Sequence, residues 1–228
     1  MVDENTVLML LSSVIAFLFF IILFYKYMIR RDSKFLYWSI GLLFMFFAYL
    51  INFFSLIYSW NNLLFDSYYF FAMANVGFLG LGSVSLINKN KITMLLLTYN
   101  IIMSLIFLFA ILFSKTNPNL VLKGNFNAFP AYVSLLGALI TVPGAIFLIF
   151  ISLYSAVKLK NNRNALLYNS LIALGAIIFS ADGSLTLSGN VTFYYTFLFL
   201  GLVLMFTGFL NSISFNSKIE VNVARDLS

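Results

Sequence analysis

The sequence predicts an all-α protein, a bundle of seven transmembrane helices. Three observations carry this. First, apolar residues make up 62% of the 228 positions and charged residues 9%, against about 25% charged in a soluble domain. Second, the mean hydropathy is +1.01, and the apolar residues fall in unbroken runs near the ~20 residues that cross a bilayer at 1.5 Å rise each. A membrane β-barrel would instead show ~10-residue alternating segments. Third, the basic residues collect on alternate connections, as the positive-inside rule requires.

The spans follow in order. Met1–Thr6 is an acidic lead carrying Asp3 and Glu4. It lacks the basic n-region of a secretory signal, and the run behind it is too long for an h-region. The first span is therefore a retained helix over Val7–Ile29. The second covers Phe35–Tyr58 and the third Tyr68–Ile87, with the cluster Gly77, Gly80 and Gly82 inside it. That cluster reads as a packing surface. A short turn leads to the fourth span at 92–113. The longest connection, Ser114–Pro130, holds Leu120, Val121 and Leu122 before Gly124, a pattern for a small hairpin or lid. The fifth span lies within Ala131–Lys160 and includes Pro143, a potential kink. The sixth runs over Ala165–Ala181 and the seventh over Phe193–Phe215.

Seven spans put the termini on opposite sides. Lys26, Arg30, Arg31, Lys34, Lys89, Lys91, Lys158, Lys160, Arg163, Lys218 and Arg225 then share one side, and only Lys115 and Lys123 the other. Asp3, Glu4, Asp66 and Asp182 join the two lysines. This places the N-terminus outside and the C-terminus in the cytoplasm, as a multi-pass protein of the cell membrane. It also accounts for the net charge of +6 without nucleic acid or any other acidic partner. The expected partners are the lipid bilayer and, beyond it, a membrane-protein partner or a second copy of the chain.

Residues 1–228 read as a single transmembrane domain with an internal 3+1+3 repeat, 7–87 and 132–215, joined by span four. Phe35–Ser39 aligns with Leu166–Ser170, both after a basic turn. Tyr68-Tyr69 aligns with Tyr194-Tyr195, Gly82 with Gly208 and Ile87 with Ile213. Both triplets start outside, so the repeats are parallel, related by an axis along the membrane normal. The competing reading is that apolar segments rich in Leu, Phe and Tyr align readily by composition alone.

In this layout the chain resembles SWEET-type sugar transporters. Those carry a proline in corresponding helices of both halves, whereas here Pro143 stands in span five and span one has none. It is similar in topology to microbial rhodopsins too, but their retinal needs a lysine in the seventh helix and Phe193–Phe215 has none. Gly77-Phe-Leu-Gly-Leu-Gly-Ser and Leu204-Met-Phe-Thr-Gly-Phe-Leu210 resemble an uncharacterised group of prokaryotic seven-helix membrane proteins over about two spans. That resemblance implies a fold and no activity.

With no Cys and no His, thiol nucleophiles, thiolate metal sites and imidazole acid–base schemes are excluded. No ionisable group falls at a span centre, where one would be a functional candidate by default. The expectation is a non-enzyme without cofactor or metal. Candidate ligand-cavity residues lie on two small, mildly polar stripes. On span five these are Ser134, Ala138, Thr141 and Ala145, continued by Ser152 and Ser155 with Leu148 between. On span six they are Asn169, Ala173, Ala176 and Ser180, leading to Asp182. Steps of four and three put each set on one helical face. Asn52 and Asn75 are amides in spans and need partners if buried. Each stripe reads either as a cavity for a polar solute or as close packing of helices. Asp66 is placed either to cap the third helix or to line an outer vestibule, and the paired tyrosines suit an interfacial belt.

Two functions follow. One is a binder or facilitator of a small solute or lipid-like ligand, working between the two halves. The other is a non-transporting accessory subunit of a larger membrane complex. A facilitator needs a hydrated, polar-lined cavity bounded by spans five, six and seven, whereas a subunit needs a filled interior and a small-residue stripe on its outside.

Overall fold

The structure is a computed structural model, and it describes residues 3–87, 91–158, 161–180 and 191–226. All the described secondary structure is helical. The elements are α1 (Glu4–Arg30), α2 (Ser33–Tyr58), α3 (Asn62–Ile87), α4 (Lys91–Phe113), the single turn α5 (Pro118–Val121), a 3-10 turn at Phe126–Ala128, α6 (Ala131–Lys158), α7 (Arg163–Ser180) and α8 (Val191–Asp226). Six of them are long and apolar enough to cross a membrane: α1, α2, α3, α4, α6 and, in α8, Phe193–Asn211. The chain therefore has the make-up of a multi-helix membrane protein. α7 is shorter, at 18 residues, about 27 Å of helix against a hydrocarbon core of about 30 Å.

The chain divides into two compact units, residues 1–148 and 149–228. In the first, α3 is the central helix. Its apolar stretch is 61% buried, against 22% for α4, so α3 is enclosed on several sides while α4 buries one stripe: Thr93, Asn100, Ser104, Phe107 and Ile111. A helix covered in this way needs neighbours that come close from several directions, and glycines on two faces of α3 permit this. On one face, a methyl group on Gly82 would overlap the Trp38 indole of α2. The Trp38 indole N–H donates to the Leu79 carbonyl at 3.1 Å, and Gly41 of α2 admits Leu79 and the Asn75 carbonyl. On the other, a methyl on Gly80 would stand 2.5 Å from Gly144 Cα of α6, and one on Gly77 2.5 Å from Asn100 Oδ1 of α4 and 2.9 Å from Ile140 Cγ2. Carbon atoms pack at about 3.5–4.0 Å, so only glycine fits either place. Lipid tails give apolar side chains no reason to leave them, and small residues at helix crossings are the usual source of cohesion in a bilayer.

The connection before α6 is a folded plug, not a hairpin. Asn117 caps α5 through Oδ1, which accepts from Asn119 N at 3.1 Å. Asn117 N donates to the Ala128 carbonyl and Asn125 N to that of Leu120, both at 3.0 Å. These bonds hold Val121, Ala128 and Phe129 in a core with Phe65, Tyr69 and Phe107. The Phe129 ring lies 4.6 Å from Tyr69 and 5.2 Å from Phe65, stacked on both. Gly124, at φ +63°, passes beneath Trp60. Tyr68 and Tyr69 are thus buried side chains and not members of an interfacial belt; Tyr194 and Tyr195 of α8 are likewise buried.

In the second unit α7 and α8 pack together through glycines. A methyl on Gly175 would meet the Gly201 carbonyl and Met205 Cγ, each at 2.7 Å. One on Gly208 would meet the Tyr168 carbonyl at 2.7 Å and Ile172 Cγ1 at 2.9 Å.

Candidate functional site beside Pro143

Proline has no backbone N–H, so inside α6 Pro143 cannot bond the carbonyl four residues earlier, that of Leu139. In hydrocarbon an abandoned carbonyl costs several kcal/mol unless a neighbour supplies a donor. The donor comes from α4, where the Tyr99 hydroxyl donates to the Leu139 carbonyl at 2.8 Å. Next to Tyr99, Asn100 turns into the interior, with its side chain against Gly77. Asn100 is only 5% exposed, yet its Oδ1 accepts no hydrogen bond among the described residues. One turn further on, Ser104 Oγ is also enclosed without a partner among them. Beside Asn100 lies a half-open pocket of about 30 Å³ lined by Gly77, Tyr99, Asn100, Ile140, Pro143 and Gly144, with Leu and Phe side chains completing it. It lies around the middle of α3, α4 and α6 along their lengths.

The stripe expected on α6 stands beside this site. The line that faces the packed interior is Val133, Gly137, Ile140, Gly144 and Leu148, all buried. Ser134 is exposed, and Ala138, Thr141 and Ala145 are half-buried on the flank one residue round the helix. Thr141 Oγ1 donates back to the Gly137 carbonyl at 3.1 Å. Ser152, in the second unit, is buried. Asn52 is buried on α2, where its backbone carbonyl accepts from Ser55 Oγ at 2.7 Å. Asn75 donates through Nδ2 to the Phe71 and Ala72 carbonyls at 3.1 and 2.9 Å, while its Oδ1 is enclosed without a donor among the described residues. Asn75 shares the α3 face of Leu79 and Gly82, turned to α2, so it is not brought together with the α6 stripe. In the second unit Asn169 is half-buried and donates to the Ala165 carbonyl at 2.9 Å. Ala173 and Ala176 are fully buried, Ser180 closes α7, and Asp182 lies outside the described residues.

Asp66 does not cap α3. The helix starts at Asn62, and Asn61 is the cap, its Oδ1 accepting from Leu64 N at 2.9 Å. Asp66 falls in the second turn, half-buried, with Oδ1 enclosed and unbonded among the described residues. Among those residues no three His, Cys, Asp or Glu side chains gather.

Tyr99, Asn100 and Ser104 are not among the residues that the stripes single out. The signal for them is indirect. Pro143 in a span frees a carbonyl that a donor on a neighbouring helix can satisfy, and Thr98, Tyr99, Asn100 and Ser104 are a polar cluster near the middle of the fourth span. Compared with family models, curated proteins and solved structures, the chain finds no match.

Proposed function

We propose that the chain is a seven-span integral membrane protein, N-terminus outside, that serves as a non-transporting helical subunit within a membrane assembly. The observation that carries this reading is the close helix packing within the first unit. Gly80 against Gly144, and Gly82 against Trp38, leave no room for a side chain. The half-open pocket beside Pro143 is about 30 Å³, whereas ligand pockets run to about 300–1,000 Å³. The half-exposed flank of Ala138, Thr141 and Ala145 supplies the small outer stripe that such a subunit needs. The same flank favours the second reading, a facilitator of a small polar solute, if it borders water.

The seven-span count takes α7 as a short span. The orientation rests on eleven of the 13 basic residues falling on one side. The internal repeat gains support from the packing within each unit. Asn75 and Leu79 of α3 receive Gly41 from the helix before. Gly201 and Met205 of α8, each 126 residues later in the chain, receive Gly175 from the helix before. Gly82 and Gly208, again 126 apart, are both pressed against that preceding helix.

Single cysteines separate the two functions on a background with no native thiol. Under the subunit reading, Thr141→Cys and Ala145→Cys resist a membrane-impermeant thiol reagent from both sides, and Ser134→Cys reacts. Labelling of Thr141→Cys and Ala145→Cys from water would reject it in favour of passage. Accessibility of tags at the two termini on opposite faces of sealed vesicles tests the span count and orientation.

A further inference from the structure

We propose that the turn joining α1 to α2 is a binding site for the headgroup of an anionic phospholipid. Only Arg31 and Asp32 separate the two helices, so Lys26, Arg30, Arg31 and Lys34 gather at one place against the single carboxylate of Asp32. That carboxylate is engaged by the Lys34 ammonium at 2.6 Å and by Lys34 N at 3.3 Å. Lys26 and Lys34 both stand over the buried Phe35 ring, at 5.8 and 5.1 Å from its centroid, and the Arg31 guanidinium stands over Tyr27 at 5.9 Å. An aromatic face within about 6 Å attracts a cation, so these side chains are held on the turn and not spread into water. Arg31 has φ 53°, a left-handed position at the end of α1 where glycine is the usual residue and a side chain is strained. The last turn of a helix gains from a cation, and Arg30 supplies it; that need does not account for arginine at a glycine position. The neighbouring surface selects a lipid over a free anion. Tyr25, Met28 and Ile29 are exposed within two turns of Arg31, so an acyl chain lies on them while the phosphate meets the cations. Basic clusters at the ends of membrane helices attract anionic lipids, and arginine offers a phosphate two parallel N–H donors. The inference needs only that α1 and α2 cross the bilayer, and it holds in either orientation and under either reading of the function.

The test is native mass spectrometry of the full chain in detergent micelles that hold phosphatidylglycerol and phosphatidylcholine in equal amounts. The parent is expected to retain phosphatidylglycerol severalfold over phosphatidylcholine. Arg31→Gly removes the charge and suits the left-handed backbone, so it keeps the fold and should lower that excess severalfold. Lys115→Gln with Lys123→Gln, in the plug at the other end of the first unit, should leave it unchanged. Equal retention of the two lipids by the parent would overturn the proposal. So would an excess that survives in Arg31→Gly combined with Lys26→Gln. An excess lost equally when Lys115 and Lys123 are neutralised would make it an effect of overall charge, and displacement of phosphatidylglycerol by inorganic phosphate at matched concentration would assign the turn to a free anion; either result rejects a lipid site.

Discussion

Tyr99 and Leu139 are joined by a 2.8 Å hydrogen bond from the tyrosine hydroxyl to the leucine carbonyl, and the cause of that bond lies four residues on, at Pro143. The proline leaves the carbonyl without its helical donor, and the neighbouring helix replaces it. The bond is thus a repair, and its value depends on the proline. Tyr99→Phe leaves the carbonyl without a donor and should destabilise the protein by about 1–3 kcal/mol, the cost of an unsatisfied buried acceptor. In a Pro143→Ala background the restored N–H reaches Leu139, and the same Tyr99→Phe should cost close to nothing. A double-mutant cycle on unfolding in mixed micelles reads the difference directly. Equal costs in the two backgrounds would remove the link between Tyr99 and Pro143.

Glycines of α6 should respond in opposite directions according to what faces them. Gly144 meets the Val76 carbonyl and Gly77 Cα closely, and Gly80 meets Gly144. Gly80→Ala or Gly144→Ala therefore forces backbones apart, at about 1–3 kcal/mol for an overpacked contact. At Gly137 the nearest atoms to an added methyl, Met73 Cγ and the Phe107 ring, lie at 3.4 Å, an ordinary contact. Gly137→Ala should be neutral or stabilising by up to about 0.5–1 kcal/mol, the helix preference of alanine. Thermal midpoints of the three variants in one detergent check the ranking. Destabilisation at Gly137 equal to that at Gly144 would mean that close approach is not what the glycines serve.

The spans and their order are legible because hydropathy and length are properties of local sequence. The glycines of α3 are legible as packing positions for the same reason: a residue without a side chain in a bilayer has few other uses. Rotation is not legible. On α6 the lines Ser134–Ala138–Thr141–Ala145 and Val133–Gly137–Ile140–Gly144 are adjacent, about 100° apart around the helix, and both contain small residues. Which one faces inward is decided by the partner at Gly80, which lies about 60 residues away in the chain. The same holds for Asn61 and Asp66. Either side chain can cap a helix, and the choice follows from Trp60 packing on Phe65 and Tyr68, which starts α3 a turn earlier. Asn100 is hidden because span four reads as a connector between repeats, and a connector has no reason to carry a buried amide.

A local strain predicts a stabilising change. Ser59, which ends α2, has φ 66° and ψ 157°. This region is populated almost only by glycine and costs another residue about 1–3 kcal/mol. Ser59→Gly relieves the strain, offset by the extra entropy of glycine in the unfolded chain, for a net gain of about 1 kcal/mol. Ser59→Ala keeps the same backbone and should stay within about 0.5 kcal/mol of the parent. Parallel denaturation curves of the two variants decide the matter, since a gain in Ser59→Ala of equal size would assign the effect to the hydroxyl.

The last prediction concerns Trp38, whose indole fills the space beside Gly82 and bonds the Leu79 carbonyl at 3.1 Å. That carbonyl lies within α3, so the indole bond reaches across to a backbone group of the neighbouring helix and fixes the depth at which α2 meets α3. Gly82→Ala would overlap the indole, pushing it off the carbonyl and toward lipid. Trp60→Phe leaves Trp38 as the sole tryptophan and makes its emission a clean reporter. In that background Gly82→Ala should shift the emission and raise its quenching by bilayer-embedded quenchers, with a loss of about 1–3 kcal/mol in stability. Trp38→Phe should lose about 1 kcal/mol for the bond and, having a smaller ring, should tolerate Gly82→Ala better than the parent does. If Gly82→Ala is as costly in the Trp38→Phe variant as in the parent, the indole is not what requires glycine at this crossing, and the register of α2 on α3 must be held by the Gly41–Leu79 contact instead.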